Sequence, residues 1–586
     1  MRFISFEQKI STEDPKKNYI YLDYVKKKQN VLDLKDIKES INKHYDKWLN
    51  EAKKIHELIS EISGNNNKYW WFTDSSRFIL WKTKTNYNLN NYLYSKAILE
   101  LIRNISFKSE SDEYVIVNCN AMIINYIKED LGNELRIKFS KKVNIKNNLI
   151  KNIFINIAKS LINALTYLTI IKNKKIIKNK EYKSIIFSLA LNSDIINEKG
   201  DHFYGNIIND NRFIWFYNDN PNNKNEIKKK FDDHKKNYFF TLEYGSLFLI
   251  VKSLFSYWKF LFKILIFRKK IEKKLVSQFW KFFYREFFSN KVINENIFYE
   301  IYLYNICLKI KKNIEIKKLV IPYEENGWQR AIIFAFQDKK ILKYGYAHAS
   351  HSQGHKYYFF KNNKINFVRP NKILVTGKIA KEKFIQIGYK ANDILILGSS
   401  KYHEIKDFKV LFKTRRPKIL FMCGVGLEIV NFAKLLNKES NLFDDFELVI
   451  RENPHSWKDE QDYAKKIFES KNIEYNVSKL NFIEDIITSK YILFETSTAG
   501  LEGILNGRLG LQLDVTDNIY SNQFDDPKRE NIKYCINFKQ LQDTLNYYES
   551  LNMNDYMQIV NKQRLQVNML IENINVNTLK ILKENN

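Results

Sequence analysis

FELVIRENPHSW at 446–457 and YILFETSTAGLEGILNGRLGLQLD at 491–514 decide how this chain is read. Each opens on a short apolar strand, 448–450 and 491–494, that stops abruptly in polar residues. In open α/β sheets, ligands bind just beyond the carboxyl ends of strands. Beyond the first strand stand Arg451, Glu452, Asn453, Pro454, His455 and Ser456. Beyond the second come Glu495, Thr496, Ser497 and Thr498, and Ala499-Gly500 then opens a short helix. Ser497 and Thr498 suit the cap of that helix. Its free N–H groups and positive dipole end suit a phosphate.

Working outward, the surrounding domain opens with a strand at 418–422 and a turn, Cys423-Gly424-Val425-Gly426. Gly424 and Gly426 would let backbone approach a ligand, although any tight strand-to-helix turn uses glycine. Helices at 537–550 and 555–584 close the chain. Upstream, strand patterns at 69–72, 114–118, 184–189, 319–322, 343–346, 372–375 and 394–397 alternate with helical ones. Such alternation predicts parallel sheets with helices on both faces. The expected fold class is α/β, with two Rossmann-like domains facing a central cleft. The expected divisions are a helical appendage at 1–66, a first α/β domain at 67–398, a second at 399–545 and a terminal helix at 546–586. Helical insertions at 145–172 and 246–312 interrupt the first domain, and 200–235 reads as polar loop.

The 586 residues require more than one domain, and 44% apolar with 15% aromatic residues excludes a disordered chain. Lysine and arginine total 96 against 66 acids, a net charge of +30. That balance favours anionic partners, although a lysine-rich coding bias produces the same number. The lysines are scattered, and no compact basic block of a nucleic-acid reader appears. Cys119, Cys307, Cys423 and Cys535 lie far apart, so neither a zinc knuckle nor a disulfide framework is expected. A reducing, cytoplasmic setting fits.

The most apolar segment is 246–267, SLFLIVKSLFSYWKFLFKILIF. Lys252, Lys259 and Lys263 inside it argue against a membrane span, at roughly 2.5–3.5 kcal/mol each on insertion scales. Either this helix is buried with its lysine stripe in water, or it rests on an anionic membrane surface helped by Arg268, Lys269, Lys270, Lys273 and Lys274.

A second strand end also gathers polar groups, Tyr323-Glu324-Glu325-Asn326-Gly327-Trp328. Adjacent carboxylates raise each other's pKa, which suits a general base; alternatively, both merely pair with cations. His348, after the next strand, is expected to face the same cleft. His351 and His355 follow at spacings that a helical zinc site would use, but Gly354 and the preceding strand make the segment a loop, so no metal is expected.

The chain resembles GT-B glycosyltransferases. More narrowly, 69–545 resembles bacterial surface-carbohydrate biosynthesis proteins related to CMP-dependent Kdo and sialic-acid (nonulosonate) transferases. The matching pieces are YWWFTD at 69–74, YEENGW at 323–328, KYGYAH at 343–348, 394–400, NPHS at 453–456 and STAGLEG at 497–503. The family usually has Lys-Pro-His-Pro where this chain has Asn453-Pro-His-Ser456. The resemblance implies a cytoplasmic transferase, either free or peripheral at the inner face of the membrane, that moves an acidic sugar from a CMP-linked donor to a surface-glycan or lipid-linked acceptor. It implies no metal and no cofactor beyond the donor. Glu325, or else Glu324, would be the base. His455, Ser497 and Thr498 would bind the leaving phosphate with help from Arg451, Glu502 would take the ribose, and Gly424 and Gly426 would line the nucleotide. His348 and Trp328 would meet sugar or acceptor. A UDP/GDP-sugar or polyol-phosphate transferase, and a non-catalytic scaffold, remain the alternatives.

Overall fold

A computed structural model describes residues 18–21, 34–66, 68–73, 96–97, 100, 114–117, 137–139, 149–170, 184–189, 201, 203–205, 213–218, 238–275, 281, 284, 296–348, 368–386, 388–399, 410–424, 428–436, 445–453, 458–513, 531–535 and 537–584. Three parallel sheets organise them. A small one joins β1 (Asn18–Tyr21), β2 (Tyr114–Val117) and β3 (Ile137–Phe139). The 114–118 strand is therefore not part of the first domain's main sheet.

The main sheet has seven strands: β4 (Ser184–Leu189), β5 (Ile214–Asn218), β6 (Tyr238–Phe240), β7 (Lys318–Pro322), β8 (Leu342–Ala347), β9 (Lys372–Val375) and β10 (Ile394–Ile396). Their order is β10-β9-β8-β7-β4-β5-β6, every pair parallel. Side chains alternate between faces. Ile185, Phe187, Ile214, Phe216, Leu319 and Ile321 enter one apolar cluster, while Ile186, Trp215, Tyr217 and Val320 enter another on the opposite side. β5 corrects the reading of 200–235 as loop. Ile-Trp-Phe-Tyr is buried on both faces, so it shows the near-continuous apolar run of a covered parallel strand rather than alternation. Residues 69–72 are also corrected: Lys68–Phe72 is a short 3-10 helix that places Trp70 and Trp71 in the core.

Helices cover the first face. They are α1 (Leu34–Asn66), α2 (Leu149–Ile170), α3 (Leu247–Lys274), α4 (Phe298–Asn313) and α5 (Gly327–Ala335). Trp48 and Ile59 of α1 sit in the same cluster as Ile185 and Leu319, so this helix is packed into the domain rather than appended to it.

The second large sheet is β11 (Lys418–Met422), β12 (Glu447–Arg451), β13 (Asn476–Val477), β14 (Tyr491–Phe494), β15 (Leu509–Leu513) and β16 (Lys533–Cys535). Its order, β13-β12-β11-β14-β15-β16, is again wholly parallel. Both large sheets follow the doubly wound pattern. The chain leaves the central strand (β4 or β11) in one direction, returns, and continues on the other side. That return makes a topological switch point between β4 and β7, and another between β11 and β14.

The end of the chain ties the domains together. The expected single helix at 555–584 is two, α12 (Met553–Leu570) and α13 (Val576–Lys583), after α11 (Phe538–Ser550). Val567 and Leu570 pack on the second sheet, and Leu579 and Leu582 pack on the first. Between them the backbone crosses at the carboxyl ends of β9 and β10. Glu572 N–H donates to Thr376 O at 2.7 Å, Ser399 N–H to Glu572 O at 2.9 Å and Asn575 N–H to Leu397 O at 2.8 Å. Gly398 has φ +80°, and a Cβ there would lie 2.1 Å from Asn573 O. Only glycine fits that turn.

Candidate functional site: two strand-end crevices

In the second domain the carboxyl ends are in register, Met422 lying opposite both Arg451 and Phe494. Cys423-Gly424 and Glu495-Thr496-Ser497 therefore leave adjacent strands at one level, on either side of the switch point. Ser497 is the N-cap residue of α10 (Thr498–Leu505), yet its side chain makes no cap hydrogen bond. The expectation that Ser497 caps its helix by its hydroxyl is thus corrected. The Ser497 backbone carbonyl instead accepts the Gly500 N–H at 3.2 Å, closing the first turn just beyond the strand end. Gly500 explains the seat of this helix. A Cβ there would come within 2.2 Å of the Phe494 ring, so the glycine lets α10 lie directly on β14. Thr498 begins that helix, and Glu502 lies partly buried one turn further on.

A buried carboxylate that the sequence reading passed over joins the two sides. Glu428, the first residue of α7 (Glu428–Leu435), is 2% exposed. Its Oε2 accepts the Gly424 N–H at 2.6 Å, and its Oε1 accepts the Thr496 hydroxyl. Burial, opposed by the hydrogen bonds from Thr496 and Gly424, pushes its carboxyl up to about 7. A Cβ on Gly424 would stand 2.2 Å from this carboxylate, so the tight turn does bring backbone close to an acidic group, here one from the chain itself. The signal in sequence was an acid four residues after a glycine at a strand end.

Arg451 does not serve the cradle. Its Nη1 is held by Asp485 Oδ2 at 2.6 Å and by Leu480 O at 3.0 Å, and its guanidinium lies 5.4 Å from the centre of the Phe482 ring. Asp485 is fully buried and also accepts from Lys418 and Ser478, so Arg451 belongs to an ion-pair network of the fold. His455 and Gly426 lie outside the described residues, as do His351 and His355.

In the first domain the two adjacent glutamates have opposite fates. Glu325 takes φ +57°, a left-handed conformation unusual for a side-chain-bearing residue. That turn sends it inward, where it is 1% exposed. Arg330 Nη2 lies 2.7 Å from its Oε2, Arg369 Nε 2.8 Å from its Oε1, and Tyr323 donates at 2.9 Å. Burial alone would raise its pKa, but Arg369 and Arg330 outweigh it and hold the carboxyl below its usual value. The expectation of a raised pKa is corrected here. Glu325 is a buried counter-ion that pins the strand end, with no exposure to take a proton from a substrate.

Glu324 points the other way and stays partly exposed. Its Oε1 is 3.6 Å from His348 Nε2, and its Oε2 accepts from Asn326 at 3.3 Å. His348 leaves β8 beside Glu324, its ring centre 4.4 Å from that of Phe203 in a T-shaped arrangement. Asp201, two residues before Phe203, accepts the Ser188 hydroxyl of β4 at 2.8 Å and the Phe203 and Tyr204 N–H groups. Residues after β4, β7 and β8 thus converge at the first switch point. Trp328 instead packs partly buried against the core.

No protein-family model and no curated protein matches the chain. Among solved structures, it is similar to a UDP-GlcNAc 2-epimerase from Neisseria meningitidis (TM-score 0.41, 9% identity, 68% of this chain and 99% of that one). A glycosyltransferase from Rickettsia africae gives TM-score 0.40 at 12% identity, with 69% and 98% covered. Anabaena HepE, solved with UDP and glucose, gives 0.37 at 10%, with 68% and 99% covered. Scores below 0.5 are too distant to lend this chain an activity. The sheets themselves, each doubly wound and joined by a returning C-terminal helix, carry the assignment. The fold is GT-B-like. Each domain presents its own strand-end crevice, one with Glu324 and His348, the other with the Ser497 and Thr498 hydroxyls beside the buried Glu428 carboxylate.

Proposed function

We propose that this chain is a glycosyltransferase that moves an acidic sugar of the Kdo or nonulosonate type from a CMP-linked donor to a surface-glycan acceptor. The observation that carries it is that each domain has a strand-end crevice of different chemistry. Glu324 and His348 stand at the first switch point, and Ser497 with the α10 N-terminus stands at the second.

Glu324 takes the acceptor hydroxyl proton, and the freed oxygen bonds the anomeric carbon. The bond from that carbon to the phosphate oxygen breaks, and its electron pair leaves with the CMP phosphate. The Ser497 and Thr498 hydroxyls, the helix N–H groups and His455 stabilise the charge that develops there. His348 orients Glu324; 3.6 Å is longer than a hydrogen bond, and catalytic contacts of this kind tighten when substrate arrives. Hydroxyl and N–H donors suit a single phosphate better than a diphosphate, because Arg451 is engaged elsewhere. The CMP preference and the acidic sugar rest on the motif resemblance at 323–328, 343–348 and 497–503.

Thermal-shift measurement with CMP, CDP, UDP and GDP tests the donor. Stabilisation by CMP above the others supports the proposal. Stabilisation by UDP or GDP alone replaces it with a diphosphate-sugar enzyme, and none at all leaves a scaffold with an empty GT-B shell.

A further inference from the structure

We infer that the outer faces of α2 and α3 form a docking surface for an anionic lipid bilayer. The sequence offered a lysine stripe as the water-facing side of the 246–267 helix. The structure exposes Lys252 and Lys259 as that stripe requires, and turns an apolar line outward beside them. Phe248, Phe255, Phe262 and Ile266 fall at i, i+7, i+14 and i+18, one line along α3, and are 58–73% exposed. Tyr257, Phe260, Ile264 and Phe267 occupy the opposite, buried side. On α2, Phe154, Ile162 and Leu165 share one face and are 61–67% exposed. The Trp258 Nε1–H donates to Ser160 Oγ at 3.3 Å, which sets the two helices side by side midway along both stripes. Seven large apolar side chains on adjoining helices exceed the scattered exposure that a monomer surface normally shows.

The charges say what covers this face. α2 contains lysines at 151 and 159 and no acidic residue. α3 brings Lys252 and Lys259 to the surface near the apolar line and ends in exposed Lys269, Lys270, Lys273 and Lys274, with Glu272 its only acid. An apolar line bordered by lysines matches a helix lying in the headgroup layer, the apolar side chains among acyl chains and the ammonium groups among lipid phosphates. No helix among the described residues is long and apolar enough to cross a membrane, so the chemistry is that of resting on a bilayer. Through α3 and α4 this surface belongs to the domain that carries Glu324, which would bring the catalytic carboxylate to a lipid-linked acceptor. That last link rests on the proposed transferase reading; the surface itself does not.

The test is co-sedimentation of the full chain with phosphatidylcholine vesicles, with and without phosphatidylglycerol, using wild type and the F248S/F255S/F262S variant. These side chains project outward, and the variant is expected to melt at the wild-type temperature and to keep the wild-type response to CMP. We expect at least tenfold tighter binding to the phosphatidylglycerol vesicles, loss of that binding in high salt, and at least a tenfold loss in the variant. Equal binding to both vesicle types, or wild-type binding by the variant, overturns the inference. So does a wild-type dimer in sedimentation velocity that the variant abolishes, since the face would then join two copies. A missing CMP response with intact vesicle binding counts against the transferase alone.

Discussion

Glu324 and Glu325 are neighbours in sequence with opposite environments, and mutation should separate them. Removing the Glu325 carboxylate leaves Arg330 and Arg369 buried without a counter-charge. Breaking a buried pair this way costs about 3–5 kcal/mol. Glu325→Ala is therefore expected to lower the denaturation midpoint sharply or to yield little folded protein. Glu324→Ala should melt near wild type and keep CMP binding while losing transfer. Glu428 gives a pH signature. Its folded value of about 7 lies above the ordinary 4.5, so the native state holds the proton more tightly than the unfolded chain does. Stability is then lost as pH rises from about 4.5 to about 7 and is level beyond. Thermal melts of Glu428→Gln across that range should be flatter than wild type, and the variant should be the more stable of the two at pH 8. Because the charged carboxylate shares the Gly424 and Thr496 donors with any incoming phosphate, the CMP-induced shift of wild type should also grow as pH falls. The sequence showed that two carboxylates met at a strand end. Which one turned inward was decided by the +57° φ at Glu325 and by Arg369, a residue 44 positions away that no local pattern connects to it.

At the scale of elements, strands with strong local signals were legible. Ser184–Leu189, Lys372–Val375, Lys418–Met422 and Tyr491–Phe494 stand at the bounds their apolar runs indicated. β5 was hidden because flanking asparagines and aspartates made 200–235 look like loop, although its own residues are as apolar as any in the sheet. The outward face of α3 was legible only in part. Lys252 and Lys259 are exposed as their stripe indicated, but the helix is apolar nearly all round, so periodicity alone did not separate the exposed line of Phe248, Phe255 and Phe262 from the buried side. The α10 cradle depends on close packing that can be tested directly. Gly500→Val would drive a branched side chain into the Phe494 ring. We expect calorimetry to show CMP affinity reduced at least tenfold, with β14 and the rest of the domain still folded by circular dichroism.

For the whole molecule, two doubly wound sheets were foreseeable from alternation, but their joining was not. The crossing at Leu570–Asn575 is made largely of backbone hydrogen bonds to Thr376, Leu397 and Ser399, which side-chain patterns do not announce. Only Gly398 marked the place, and its φ of +80° gives the reason. Truncation after Leu570 removes those bonds and the Leu579 and Leu582 packing, and is expected to split one calorimetric unfolding transition into two. The central claim, that a single-phosphate cradle in one domain serves a carboxylate in the other, is tested most directly by titration calorimetry of CMP into wild type, Ser497→Ala/Thr498→Val and Glu324→Ala. The account predicts that wild type and Glu324→Ala bind CMP alike, while the double variant binds at least tenfold more weakly. Undiminished binding by the double variant, or no binding of CMP by wild type, would contradict it.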